Sequence, residues 1–308
     1  MPPLPFPGGD SWVATLDRHH PLTGRIWIPA EARFITAWEL SRRLVGADFV
    51  LLGERHDNPD HHRLQAWAMS AVIVGGRRPL TAFEMIGPQQ APVLEAAQAH
   101  RPVDLDALGQ SLDWAKGLWP DWSFYRPLFG LALDNDLVVR PANLPPDLVR
   151  TIARGQPIPE ETRRQLGLDQ PLPPAQFASM AQEIRQSHCG MLPDAAIPPM
   201  VDVQRARDRT MALALADAGR DGGLLIAGAG HTRTDRGVPW HLQNLAPGRS
   251  VLSLAFLEVE SGETDPAAYG QPYDTATPPF DAVIFTPRTS DDDPCAGMAA
   301  FMKRKTGQ

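Results

Sequence analysis

The stretch Ala47-Asp48-Phe49-Val50-Leu51-Leu52-Gly53-Glu54-Arg55-His56 is an apolar run that closes on a glycine, a carboxylate and an imidazole. Large apolar residues in unbroken succession do not alternate with polar ones. The run therefore predicts a strand covered on both faces rather than one with a wet side. Similar runs recur along the chain. Pro79 to Phe83 leads into Glu84, Asp136 to Arg140 into Pro141-Ala142-Asn143, and Gly223 to Ala227 into Gly228-Ala229-Gly230-His231. Ser250 to Leu257 and Asp281 to Phe285 complete the set.

Helical patterns separate these runs. After the first, Asn58 can cap a helix, Pro59 suits its first position, and Leu64, Trp67, Ala68, Ala71 and Val72 form an apolar stripe. Residues 86–118 read as helical and lead into a segment with Trp114, Trp119 and Trp122. Strands alternating with helices predict an α/β fold, a mostly parallel sheet flanked by helices, as a single domain over residues 10–302. No strand candidate lies between Pro145 and Ala218, so 146–218 is expected to be a helical insertion. Residues 303–308 are expected to form a flexible tail.

Composition narrows the function classes. The 308 residues carry 29 Lys and Arg against 36 Asp and Glu, a net charge of −7. Without a basic excess to neutralise phosphates, nucleic acid and anionic membrane surfaces are not expected partners. No run reaches the roughly 18 apolar residues of a membrane-spanning helix. Met1 to Asp10 shows neither a basic segment followed by an apolar one nor a lipidation-type cysteine. As written the chain is expected in the cytoplasm, or in the periplasm or on a membrane anchor if its N-terminus is truncated. Cys189 and Cys295, 106 positions apart, read either as one bridge or as two free thiols.

In a parallel sheet, ligands bind beyond the carboxyl ends of the strands. The residues leaving those ends are Glu54 and His56, then Glu84, Asn143 and His231. Gly-x-x-His closes a predicted strand twice, at Gly53–His56 and Gly228–His231, and glycine lets a backbone approach a ligand closely. On the helix that starts at Pro59, His61 flanks the apolar stripe, whereas His62 points away and is expected in solvent. Farther on, Gln204, Arg207 and Asp208 share a helical face with Met200, Met211 and Leu215. Buried charge requires a partner, so an Arg207–Asp208 pair is expected, aimed at a polar cleft or internal to the structure. Tyr125, in the aromatic cluster Trp122-Ser123-Phe124-Tyr125, is a phenolate ligand, a hydrogen-bond donor or core. His19, His20 and His100 read as surface residues, and His188 beside Cys189 is undecided.

The same residues carry a family likeness. Leu51 to Pro59, Tyr125-Arg126-Pro127-Leu128, Ala142-Asn143-Leu144-Pro145, Met200 to Asp208, Gly228 to His231 and Phe285-Thr286-Pro287-Arg288 resemble the ChaN-like haem-binding uptake family, over about residue 15 to Cys295. That family is distantly similar to the erythromycin-esterase and Tiki/TraB groups. Their shared pattern of two Gly-x-x-His motifs and a strand-end glutamate maps onto His56, His231 and Glu84, with Glu54 beside the first. The resemblance implies an α/β sheet with a helical insertion, haem binding in bacterial iron acquisition, and a protein that is often lipid-anchored and can pair around haem as a homodimer. The lipoprotein signal of many relatives is not seen here.

On this reading the haem-binding residues are His56, His61, Tyr125, Asn143, Gln204, Arg207, Asp208 and His231. Tyr125 or a histidine is the axial donor, and Trp114, Trp119, Trp122 and Phe124 form part of the slot. No Cys-x-x-Cys-His motif is present, so haem is expected to be held noncovalently. The residues also support a metal-dependent hydrolase, with His56, Glu84 and His231 holding a divalent metal ion and a second carboxylate, such as Glu54, acting as base. A metal-free enzyme using Glu54, His56, Glu84 and His231 for proton transfer is the third reading.

Overall fold

The computed structural model describes residues 3–100, 102–293 and 295–296. The apolar runs become β3 (Phe49–Glu54), β4 (Leu80–Phe83), β5 (Val139–Pro141), β6 (Gly223–Gly228), β7 (Val251–Glu258) and β8 (Ala282–Thr286). A hairpin of β1 (Ile26–Ile28) and β2 (Arg33–Ile35) joins them in an eight-stranded sheet of order β2-β1-β8-β7-β3-β6-β4-β5. β3 to β8 pair in parallel throughout, and only the β1–β2 and β1–β8 pairs are antiparallel. The hairpin was not legible in the sequence, because strands of three residues are too short to show alternation or a continuous run.

β3 lies at the centre, between β6 and β7, and all six of its residues are buried. Successive strand side chains point to opposite faces. Val50 and Leu52 therefore join one core layer, with Leu64, Met69 and Phe129, while Phe49 and Leu51 join another, with Met211 and Leu215. The first layer is covered by α1 (Ala37–Gly46), α2 (Pro59–Val74) and α5 (Trp122–Asp134); the second by α9 (Ile197–Ala216) and α10 (Val238–Leu245). By the same alternation Glu54 turns toward α2 and α5, whereas Glu84, which follows Phe83 of the first layer, turns toward α9.

α2 begins as expected, with the Asn58 side chain accepting from the Asp60 N–H and Pro59 at the first position. Its burial is not that of a surface helix: residues on every face are covered, including His61 and His62. From β4 the chain runs through α3 (Ala91–Ala99), α4 (Leu105–Ser111) and α5 before entering β5. Between β5 and β6 it passes through α6 (Pro146–Ala153), α7 (Glu160–Gln165), α8 (Pro174–Ser187) and α9 with no strand among the described residues. Cys189, just past α8, is disulfide-bonded to Cys295, just past β8, which decides between the bridge and the free thiols. The tail expected at 303–308 lies outside the described residues. Among the described residues no helix is long and apolar enough to cross a membrane.

Candidate functional site

The carboxyl ends of β3, β4 and β6 open onto a cavity of about 410 Å³ whose far wall is built from α8 and α9. Glu54, Arg55 and His56 reach it from β3, Glu84 from β4, and Gly228 to His231 from β6. Met180, Glu183, Ile184 and Ser187 come from α8, Gln204, Arg207 and Asp208 from α9, and Arg236 precedes α10.

Glu54 is the buried hub of one side. Its Oε1 accepts from His56 Nδ1 at 2.8 Å and from the Tyr125 hydroxyl at 2.7 Å. Its Oε2 lies 3.0 Å from His62 Nδ1, an ion contact without good hydrogen-bond alignment. Burial alone would raise the Glu54 carboxyl, but the His62 and His56 imidazoles overcome it and hold the group well below the carboxylate range. Burial pushes both imidazoles down and the Glu54 carboxylate pushes them further up, so each holds its proton more tightly than a free imidazole. His62 is anchored at its other end by the His56 carbonyl, 2.8 Å from Nε2.

His231 is the hub of the other side. Its Nδ1 meets Asp208 Oδ1 at 2.6 Å and its Nε2 lies 3.4 Å from Glu84 Oε1. Burial opposes its charge, but Glu84 and Asp208 together raise it to about 10. Glu84 in turn falls to about 2, because His231, His56 and the Gly228 N–H, at 2.8 Å, outweigh its desolvation. Burial raises Asp208, and the proton of this pair resides on His231.

Two glycines are needed where the strands meet the cavity. A Cβ on Gly53 would collide with Thr232 Oγ1 and lie 2.9 Å from the Ala229 backbone. A Cβ on Gly228 would lie 3.2 Å from both Nε2 and Cε1 of His56. The absence of a side chain at Gly228 thus leaves room beside the outer edge of the His56 ring. Trp119 meets that ring edge-on, with centroids 5.0 Å apart.

A family model described as haem-binding uptake, Tiki superfamily, ChaN matches residues 40–242. The chain belongs to the ChaN haem-binding uptake family. Its fold is similar to that of ChaN of Campylobacter jejuni, whose structure describes cofacial haem binding. That likeness has a TM-score of 0.66 at 22% identity and covers 84% of this chain and 95% of that one. A mutant erythromycin esterase EreC in its open conformation (TM-score 0.45, 12% identity, 88% of this chain and 99% of that one) and the type III effector HopBA1 (0.42, 13%, 80% and 91%) are too distant to carry an argument. No curated protein matches the chain.

Of the residues singled out in this ChaN-family sequence, Glu54, His56, Glu84, Gln204, Arg207, Asp208 and His231 come together around the cavity. Three do not. His61 is buried with both ring nitrogens engaged: Nδ1 accepts from the Arg55 N–H and Nε2 meets Thr286 Oγ1, each at 2.9 Å. Burial, reinforced by His62, holds it neutral as a bracket between β3 and β8. Tyr125 is fully buried beneath Glu54, and burial together with that carboxylate drives its phenol far above the ordinary range, the reverse of what a phenolate ligand needs. Asn143 lies outside the cavity and donates to the Glu84 carbonyl at 2.7 Å, which positions the carboxylate from behind.

Further expectations also change. His62, expected in solvent, is 2% exposed because α5 covers the far side of α2 and packs Phe124 and Tyr125 on the imidazole. The Arg207–Asp208 pair does not form, because Asp208 is taken by His231. His56, Glu84 and His231 converge, yet among the described residues no three His, Cys, Asp or Glu side chains are arranged to hold a metal ion. The His231 nitrogens are turned on the Glu84 and Asp208 carboxylates as ion pairs, and a histidine held as that cation has no lone pair to offer, while His56 is tied through Nδ1 to Glu54. Trp114 and Trp122 pack on Phe129 in the core, leaving Trp119 as the aromatic beside His56.

Proposed function

We propose that this chain binds haem noncovalently in the strand-end cavity and serves bacterial haem or iron uptake and handling. Family membership over residues 40–242 supports the ligand class, and one observation carries the assignment to this cavity. The Nδ1 of His56 is held by the buried Glu54 carboxylate, while its Nε2 has no hydrogen-bond partner among the described residues. A carboxylate on one imidazole nitrogen fixes the tautomer and strengthens the other nitrogen as a ligand. Haem requires an axial donor and apolar surface; His56 would supply the first, Met180 and Ile184 line the cavity, and Trp119 packs on the His56 ring from outside it. The cavity volume, about 410 Å³, is in the range of small-molecule sites.

Because Glu54 also raises the proton affinity of His56, ligation competes with a proton and strengthens as pH rises. The Cys189–Cys295 bridge favours work in an oxidising compartment such as the periplasm. Pairing of two copies around the ligand, as a homodimer, is read by size-exclusion chromatography before and after haemin addition. Two His–carboxylate pairs at one cavity favour, as a second reading, proton-transfer catalysis without a metal.

Haemin titration of untagged protein tests the first reading. A saturable Soret band is expected, tighter at pH 8 than at pH 6, lost in His56→Ala and kept in Tyr125→Phe. A band that ignores His56 and vanishes in Tyr125→Phe would overturn the assignment. Ester or amide hydrolysis that survives chelator and falls with His56→Ala would favour the second reading.

A further inference from the structure

We infer that the cavity contains a carboxylate-binding subsite centred on Arg207, so that its ligand bears at least one carboxylate. This deepens the reading of the cavity as a ligand site and rests on it. The argument is a charge balance around one hollow. Every carboxylate on the wall already faces a cation: Glu54 meets His56, Glu84 and Asp208 meet His231, and Glu183 meets Arg233 at 3.0 Å as well as Arg236. Arg55 is satisfied outside the cavity by Asp57 at 2.7 Å and Glu258 at 2.8 Å.

Arg207 is left over. Among the described residues it makes no ion pair or side-chain hydrogen bond, and its Nε is buried without a partner. The one carboxylate that sequence spacing offers it, Asp208, is engaged by His231 at 2.6 Å. The Arg207 side chain is half-buried, and its buried Nε, a donor without an acceptor, is costly unless one arrives. The planar guanidinium fork donates to the two oxygens of a carboxylate side by side. Met180 and Ile184 of α8 share the cavity with Arg207, which provides apolar wall next to the cation. Haem carries such carboxylates at its rim, while His56 stands free for its centre.

Iron-free protoporphyrin IX and its dimethyl ester separate the carboxylate from the axial bond, with binding followed by porphyrin fluorescence. Wild type is expected to bind the diacid about tenfold or more tighter than the ester, the scale of a charged hydrogen-bonded contact. Arg207→Gln, which breaks no ion pair, should fold normally by circular dichroism and bind both forms within about twofold. Arg207→Lys should restore part of the preference, and His56→Ala should keep it. Equal binding of both forms by wild type, or a preference that survives Arg207→Gln, would overturn the proposal.

If neither porphyrin binds, the haem reading fails and millimolar benzoate becomes the probe. A rise in wild-type Tm that is absent in Arg207→Gln then supports the subsite without haem, and no rise overturns it.

Discussion

Glu54→Gln is the substitution from which most can be worked out. The side chain is 3% exposed and accepts from His56, Tyr125 and, as an ion contact, His62. The amide keeps the shape and can still accept from Tyr125, so the change isolates the charge. Removing one partner of a buried ion pair costs roughly 3–5 kcal/mol. The wild-type carboxylate is held below its unfolded value near 4.5, so its contribution is present above that pH and lost as pH falls through the lower folded value. His56 and His62 are raised from 6.5, so theirs is full below pH 6.5 and lost as pH rises through their folded values. The network is therefore most stabilising between about pH 4.5 and 6.5. Glu54→Gln should lose the full amount at pH 6 and no more than that at pH 9, because the stabilisation is lost as pH rises through the raised values of the wild-type imidazoles. Urea unfolding at the two pH values reads the difference, and the accompanying fall in Tm at pH 6 is roughly 5–8 °C. A loss below about 1 kcal/mol at pH 6, or a larger loss at pH 9 than at pH 6, would refute the ion-pair account.

Two further outcomes follow from the other half of the site and from the covalent tie. The His231 ring, followed by NMR, should stay protonated up to about pH 10 and titrate nearer 6.5 in Asp208→Asn, and the stability it adds below pH 6.5 should fade as pH rises through about 10; a wild-type midpoint near 6.5 would contradict the Glu84–His231–Asp208 arrangement. Reducing Cys189–Cys295, which closes a span of 106 residues, should lower unfolding stability by roughly 2–4 kcal/mol, with no effect expected in a Cys189→Ser/Cys295→Ser double variant.

The sheet was legible where its strands are buried on both faces, because such strands must be apolar throughout and so stand out as runs. Alternation within β3 and after β4 also explains why Glu54 and Glu84 face different helices, although a run shows where a strand ends and not which helix awaits its last side chain. The β1–β2 hairpin escaped because three residues are too few for any pattern. His62 was misplaced because a helical stripe assumes that the opposite face is wet, whereas α5 covers that face of α2. Tyr125 looked like a candidate ligand because the aromatic cluster shows its chemistry but not its direction; α5 turns the phenol under Glu54. Asp208 beside Arg207 suggested a local pair, but β6 delivers His231 to that carboxylate, and only the fold could show that the arginine is left unpaired.

Chemical rescue of His56 tests the central claim most directly. His56→Ala loaded with haemin should lack the wild-type Soret band, and millimolar imidazole, which fits the space vacated beside Gly228, should restore it to near the wild-type position, with Tyr125→Phe unchanged throughout. A His56→Ala protein whose haemin spectrum equals wild type without imidazole would show that the iron sits elsewhere and that this cavity is not its site.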